Sequence, residues 1–206
     1  MKPLLPGILA MAIIVVASNI LVQFPVGTWL TWGAFTYPVA FLVTDLTNRF
    51  HGPAAARRVV YAGFVVGLAC SFVGPQIMGE FGPLVTLRVA LASATAFLVG
   101  QLLDIALFTR LRRAPWWQAP FFASLAGSAI DTAIFFPLAF ATAFAAIEPG
   151  NDVAWAAEMI PLLNIGPAVP LWVSLGLADF LVKVLVDGVA LSPFRLAVAK
   201  RQAKLV

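Results

Sequence analysis

Of the 206 residues, 62% are hydrophobic and only 11% charged, whereas soluble domains run at roughly 45–50% apolar and about 25% charged. That balance excludes a soluble globular chain, and a net charge of +4 beside such apolarity points to basic residues at the ends of membrane spans rather than to a nucleic-acid partner. The lone cysteine, Cys70, excludes an internal disulfide and reads as a small buried hydrophobe, and the lone histidine, His51, is a poor basis for a metal site.

The first apolar run covers roughly 3–24. Lys2 before it, and Val15-Val16-Ala17 within it, also fit a cleavable signal peptide, but the run continues past Ala17 and is long enough to span. Asn19 and Gln23, near its far end, share a face suited to interhelical hydrogen bonds or to a polar site. After a turn with Trp29 and Trp32, the second run, roughly 33–48, contains Pro38, which frees a backbone carbonyl and permits a kink. Asp45 stands one turn before Arg49, the spacing of an end-of-helix ion pair. A loop over 49–58 carries Arg49, Arg57 and Arg58. The third run, roughly 59–78, has a stripe of small residues, Gly63, Gly67 and Ser71, that favours close helix packing.

A Gly/Pro-rich loop leads to Arg88 and the fourth run, which ends near Phe108. Its stripe is Ala92, Ala96, Gly100 and then Asp104. A basic turn with Arg110, Arg112, Arg113, Trp116 and Trp117 opens the fifth run, about 119–147, with the stripe Ala123, Gly127 and then Asp131. A carboxylate on a small-residue stripe faces other helices rather than lipid. The segment 148–167, with Glu148, Asp152 and Glu158 and no basic residue, fits a stretch lying along the membrane surface. The sixth run, roughly 168–191, places Asp179, Lys183 and Asp187 one turn apart, and the chain ends with Arg195, Lys200, Arg201 and Lys204.

The expectation is therefore an all-α polytopic membrane protein, a single integral domain over 1–206 with about six transmembrane helices of ~20 residues each. Basic residues near spans prefer the cytoplasm. Both termini and the two arginine-rich turns assigned there account for all 13 Lys and Arg except Arg88, at the outer side, and Lys183, inside a span. Trp29, Trp32, Trp116, Trp117 and Trp155 then fall at interfaces, where indole rings are favoured.

Asp131 is about 12 residues into its helix, hence ~18 Å deep, near the midplane of a ~30 Å hydrocarbon core. Asp179 and Lys183 can neutralise each other. Asp131 has no basic residue within a turn on its own helix, so its partner is Lys183, Arg88, a ligand or a proton. Asp45, Gln101, Asp104, Ser128, Asp131, Asp179 and Lys183 are expected to converge inside the bundle. The chain has no P-loop, no H-E-x-x-H and no dinucleotide fingerprint, so no cofactor and no metal are expected.

Several stretches resemble one family, the bacterial queuosine precursor transporters of the VUT type: YPVAFLVTDLTNRFHGP (Tyr37–Pro53), RVALASATAFLVGQLLDIALFTRLRRAPWW (Arg88–Trp117), SLAGSAIDTAIFFPLAFA (Ser124–Ala141) and LADFLVKVLVD (Leu177–Asp187). The motifs T-D, G-Q-x-x-D, S-x-x-D-T and D-x-x-x-K, in this order, carry the likeness, which runs from about Asn19 onward. The resemblance implies an inner-membrane, multi-pass carrier for 7-deazaguanine bases such as 7-cyano-7-deazaguanine or 7-aminomethyl-7-deazaguanine, which feed queuosine synthesis in tRNA. It also implies an architecture similar to the S-subunits of energy-coupling-factor transporters. Family members often carry an amide where this chain has Ser128, and the shorter side chain leaves room for a water or a differently shaped ligand.

The chemistry suits such a ligand. A guanine-like edge offers two adjacent N–H donors that one carboxylate accepts together, while Lys, Arg or an amide donates to the ring carbonyl. Asp131 is the expected partner of the N–H edge, with Arg88 or Lys183 and Gln101 nearby. Asp104, Asp45, Ser128 and Asn19 complete the expected substrate-binding set, and Phe97, Phe135, Phe136 and Tyr37 are candidates to sandwich the base.

Three functions compete. One is a self-sufficient carrier of a purine-like base within the lipid bilayer, self-association being compatible with six short helices. Another is a binding subunit of an ATP-driven importer, which commonly docks through an A-x-x-x-A stripe on the first span. Here Ala10 is followed four later by Ile14, and Ala12 by Val16, which favours the self-sufficient carrier. The third is an intramembrane enzyme using Asp104 and Asp131 as a pair. The carrier reading requires Asp131 to adjoin a cavity rather than sit in a dry ion pair remote from one.

Overall fold

The computed structural model describes residues 4–79, 82–83, 85–151 and 153–203. Lys2, Asp152 and Lys204, which entered the charge pattern above, lie outside the described residues. Among those described, helices dominate: α1 (Leu5–Leu21), the short α2 (Trp32–Thr36), α3 (Val39–His51), α4 (Pro53–Val73), α5 (Leu87–Leu111), α6 (Gln118–Phe140) and α7 (Leu171–Ala203). Three short antiparallel hairpins, β1–β2 (Pro25–Val26 with Leu30–Thr31), β3–β4 (Met78–Gly79 with Gly82–Pro83) and β5–β6 (Met159–Pro161 with Ala168–Pro170), close the loops at one end of the bundle.

Three helical stretches, Pro53–Gln76, Leu87–Leu111 and Gln118–Phe140, are long and apolar enough to cross a membrane by length and composition. The others fall short for physical reasons. At 17 residues α1 is slightly short. The next run is broken at Tyr37–Pro38 into α2 and α3, as the missing proline N–H predicts. In α7, 33 residues long, the apolar run is interrupted by Asp179, Lys183 and Asp187.

Several boundaries differ from the sequence expectation. The loop expected over 49–58 is almost absent: α3 continues through His51, and α4 starts at Pro53. Gly52 makes the reversal with φ 83°, a left-handed conformation that glycine adopts without steric cost, and Pro53 suits the first helical position. Arg57 and Arg58 thus lie on α4. The ion pair expected between Asp45 and Arg49 is not made. Arg49 instead donates through Nη1 to the Arg112 carbonyl (3.4 Å), and Arg112 donates through Nη2 to the Arg49 carbonyl (2.8 Å). The segment after α6, expected to lie along the membrane surface, is built of short 3₁₀ turns and the β5–β6 hairpin, with Leu163 and Asn164 at positive φ. Cys70 is half-buried rather than buried.

The small-residue stripes predict the packing well. A Cβ added at Gly100 would lie 3.0 Å from the Gly127 carbonyl oxygen and 3.2 Å from the Asp131 Cβ, and one at Gly127 would lie 2.6 Å from Phe41 Cε1. The α5 and α6 backbones are therefore as close as they are because neither position bears a side chain. Gly63 plays the same part for α4, where an added Cβ would meet the Met11 Cγ of α1 at 2.5 Å. The core includes Met11, Val15, Ala40, Val59, Val60, Phe97 and Ile105.

The two ends of the bundle differ in chemistry. At one end the α3–α4 and α5–α6 turns are joined through Arg49 and Arg112. Arg201 stacks on Phe50 and Arg195 on Trp116, at 4.5 and 5.1 Å, which brings the end of α7 to the same place. The start of α1 is there too, since a Cβ on Gly7 would lie 3.2 Å from Thr47 Oγ1. At the hairpin end, the Glu148 carboxylate accepts from the N–H groups of Leu87 (3.3 Å) and Arg88 (2.9 Å) at the start of α5, where a negative charge complements the helix dipole.

Candidate functional site

The polar residues inside the bundle form a continuous track, built mainly as a ladder between α6 and α7. Both helices place a polar side chain roughly every turn on the facing stripe, so the rungs line up. Thr132 donates to Asp179 (3.2 Å), Lys183 to Asp131 (2.7 Å), and Ser128 to Asp187 (3.1 Å). Lys183 is also 2.5 Å from Asp179 and donates to the Thr132 hydroxyl at 3.2 Å. Among the described residues, side-chain ion pairs are those of Lys183 with Asp131 and Asp179. Both alternatives for the lysine's partner are therefore realised at once. Lys183 and Asp131 are each only 4% exposed.

Asp131 has a further partner. Tyr37, at the α2–α3 break, donates its phenolic O–H to Asp131 Oδ1 at 2.8 Å, and the Lys183 ammonium lies 5.3 Å from the Tyr37 ring centroid. Pro38 follows this tyrosine, at the start of α3. Tyr37 also forms part of the wall of a cavity of about 30 Å³ at the hairpin end, with Asn19, Phe64, Ser71, Ser93 and Phe97. Asp131 is thus one hydroxyl away from that cavity. Phe97 and Tyr37 meet edge to face at 6.2 Å. Phe135 and Phe136 belong instead to a cluster with Phe140 and Trp155.

A second polar cluster lies toward the arginine-bearing end. Ser124 of α6 bridges the carboxyls of Asp45 (3.3 Å) and Asp104 (3.5 Å). Gln101, one turn from Asp104, accepts from Thr44 at 2.5 Å. Asp45, Asp104 and Gln101 are buried, and Asp45 Oδ1, Asp104 Oδ2 and Gln101 Nε2 have no hydrogen-bond partner. A second cavity, of about 10 Å³, adjoins it and is lined by Asp45, Ser124, Asp187 and Phe194 among others.

The expected set therefore divides. Asp131, Lys183 and Asp179 form one centre, Asp45, Asp104 and Gln101 another, and Ser128 with Asp187 lies between them. Asn19 faces the first cavity, its amide donating to the Val15 carbonyl at 2.9 Å. Arg88 stands apart: it is buried, donates through Nε to the Leu138 carbonyl (2.7 Å) and through Nη2 to the Ala141 carbonyl, and so neutralises the C-terminal end of α6. Sequence reasoning missed Tyr37 as a hydrogen-bond partner, and it did not place Ser124 in the site, nor Thr44 and Thr132, although these two stand in the T-D and S-x-x-D-T motifs. Ser124 and Ser128 share the α6 face of Asp131, a signal that could have found Ser124.

Fold and site together define a helical membrane protein whose bundle encloses an ionisable polar track flanked by a cavity toward each end. The chain belongs to the family described as "Putative vitamin uptake transporter", which matches residues 31–198. It is accordingly a multi-pass inner-membrane protein. It is 42% identical over 142 residues to the "Queuosine precursor transporter" of Escherichia coli K12, a match covering 62% of this chain and 64% of the relative. It is also 34% identical over 169 residues to the "Probable queuosine precursor transporter" of Haemophilus influenzae, covering 69% of this chain and 71% of the relative. A third relative, the "Probable queuosine precursor transporter" of Bacillus subtilis, is 35% identical over 101 residues, 42% of this chain and 44% of the relative. No solved structure matches the chain significantly.

Proposed function

We propose that this protein imports queuosine precursors, 7-cyano-7-deazaguanine or 7-aminomethyl-7-deazaguanine, across the bacterial inner membrane. The relatives' names support this substrate class, and the observation that carries the reading is Asp131. A buried carboxylate shared by an ammonium and a phenol, with the phenol forming a cavity wall, is a site from which an incoming N–H donor edge can displace Tyr37. The cavity's ~30 Å³ is far below the ~300 Å³ of the smallest ligand pockets, so this is a closed arrangement that the base opens. When the base takes Asp131, Lys183 keeps Asp179 (2.5 Å), and no buried charge is orphaned. Lys183 or Gln101 then donates to the ring carbonyl, and Phe97 and Tyr37 flank the ring. Asn19 meets the base in the outer cavity. Asp104, Asp45 and Ser128 line its path inward, and Arg88 fixes the wall of that path.

The same reading has six spans: α1, the broken pair α2–α3, and α4 to α7 one each. The meeting of the basic turns with the start of α1 and the end of α7 supports both termini on one side, and the positive-inside rule makes that side the cytoplasm. Six helices around a central polar site agree with an architecture like that of energy-coupling-factor S-subunits, here acting without an ATPase partner, as a single domain able to self-associate in the bilayer. Proteoliposomes holding only this chain should take up labelled base without nucleotide or added subunits. Binding without uptake favours an ATP-driven importer's subunit, and a ligand-dependent thermal shift across guanine and the deazaguanines identifies the base. Absence of both binding and uptake refutes the reading.

A further inference from the structure

The α6–α7 ladder uses Asp131 and Asp179 to neutralise Lys183, but the cluster around Ser124 has no such counter-charge. The titratable groups within electrostatic reach of Asp45 and Asp104 are each other and Asp187, and Asp187 in turn feels Lys183. Among the described residues, the surrounding helices add nothing basic. Arg57, Arg58 and Tyr61 of α4 face outward, Arg49 is turned to Arg112, Arg195 is stacked on Trp116, and α1 carries no titratable side chain.

The hydrogen count is decisive. The Ser124 hydroxyl has a single hydrogen, yet its oxygen lies within bonding distance of Asp45 Oδ2 and Asp104 Oδ1. With both acids ionised, one of those contacts sets lone pairs against lone pairs. A proton on either acid lets its O–H donate to Ser124 Oγ while Ser124 donates to the other, and both contacts become bonds. The two carboxyls, 2% and 0% exposed, each retain an oxygen without a partner, so a proton can also be held there. Among the described residues no group of three or more His, Cys, Asp or Glu is arranged to hold a metal ion. The adjoining cavity of about 10 Å³ is just large enough for one water, a route for proton delivery.

From this geometry we infer that Asp45, Asp104 and Ser124 form a proton-binding site, separate from the Asp131–Lys183 centre and joined to it through Asp187 and Ser128. The step is proton uptake alone: a proton from water adds to a carboxylate oxygen, and its loss returns the carboxylate. The link is short, because Asp187 lies one turn from Lys183 on α7 and Ser128 lies one turn from Asp131 on α6. This part rests on the carrier reading: a proton entering here changes the charge felt by the base site and couples uptake to the proton gradient.

Two measurements test the site and the coupling separately. Infrared difference spectra of the purified full chain, taken across a pH titration without substrate, read a carboxylic-acid carbonyl directly. A protonated-carboxyl band is expected at neutral pH, unmoved by sodium, diminished in Asp45→Asn and Asp104→Asn, and shifted in frequency in Ser124→Ala. The serine variant keeps the test open should an acid variant fail to fold. Absence of that band in the wild type, its displacement by sodium, or its indifference to Ser124→Ala overturns the proton site. In proteoliposomes, one pH unit acid outside should raise steady-state accumulation of 7-aminomethyl-7-deazaguanine by up to about tenfold for one proton per base. Ser124→Ala, which removes the bridge between the two acids, should diminish that gain while still exchanging labelled for unlabelled base. Uptake indifferent to the gradient overturns the coupling. The band present in a protein that neither binds nor moves the base upholds the proton site and refutes the carrier reading instead.

Discussion

Replacing Asp131 with asparagine removes a charge and almost no volume, so it separates recognition from packing. In the wild type Oδ2 accepts from Lys183 at 2.7 Å and Oδ1 from Tyr37 at 2.8 Å. Asparagine keeps one acceptor oxygen, and Lys183 keeps Asp179 at 2.5 Å and Thr132 at 3.2 Å. The folded state therefore loses well under the ~3–5 kcal/mol that follows when a buried charge is orphaned; a cost of about 1 kcal/mol is expected. Recognition loses more. A hydrogen bond to a charged group contributes about 1.5–3 kcal/mol, which is about 10- to 150-fold in Kd. Equilibrium binding of 7-aminomethyl-7-deazaguanine in detergent, beside thermal unfolding without ligand, reads both quantities on one sample. Thr132→Val is the control, because it leaves Tyr37, Asp131 and both acids of Lys183 in place and should change Kd less than about threefold. Undiminished affinity in Asp131→Asn, or an equal loss in Thr132→Val, refutes the assignment of Asp131 to the base.

Lys183→Met should be the most destabilising change in the track, by about 3–5 kcal/mol, since it leaves Asp131 and Asp179 buried against each other; Lys183→Met combined with Asp131→Asn should recover part of that loss in thermal unfolding. Gly127→Val drives a Cβ to 2.6 Å from Phe41 Cε1 and 3.0 Å from the Gly100 carbonyl oxygen. Overpacking of that kind costs about 1–3 kcal/mol, so the unfolding midpoint should fall by on the order of 5 °C. Arg88→Gln removes charge from the end of α6 and should lower thermal stability while base affinity, measured by the same titration, stays within about twofold; a large loss of affinity would return Arg88 to the binding site itself.

The helix packing was legible in the sequence because it depends on volume, and volume is written in residue type. Ala92, Ala96 and Gly100, with Ala123 and Gly127, could only mark a close crossing, and the two glycines are where the backbones touch. Asp131 and Lys183 were legible for a related reason: a charge in an apolar helix has to find its counter-charge. The pairing of Asp45 was not. Local spacing favoured Arg49 on the same helix, but Arg49 lies in the last turn, where backbone carbonyls are free, and the Arg112 carbonyl took it. Tyr37 was expected only as a ring against the base; its hydrogen bond to Asp131 joins two distant helices, and periodicity describes only the faces of a single helix. Gly52 reduced an expected ten-residue loop to a single reversal, since one left-handed residue suffices when proline follows.

The arrangement around Lys183 explains why one ammonium is given two acids. A lysine paired with Asp131 alone would be orphaned whenever a ligand claimed that carboxylate, at the cost of several kcal/mol that attends an unpaired buried charge. With Asp179 one turn away on the same helix, the ammonium stays neutralised in both conditions. The helix itself need not shift to release Asp131. Tyr37, by contrast, must leave for the carboxylate to reach the cavity, and it sits at the one place in its span where the helix is already broken. On the proposed carrier reading, the charge pair keeps its depth while the break at Tyr37–Pro38 supplies the motion. That reading assigns opening toward the hairpin end to the α2–α3 joint, so substitution of Pro38 should alter rates of uptake far more than affinity for the base.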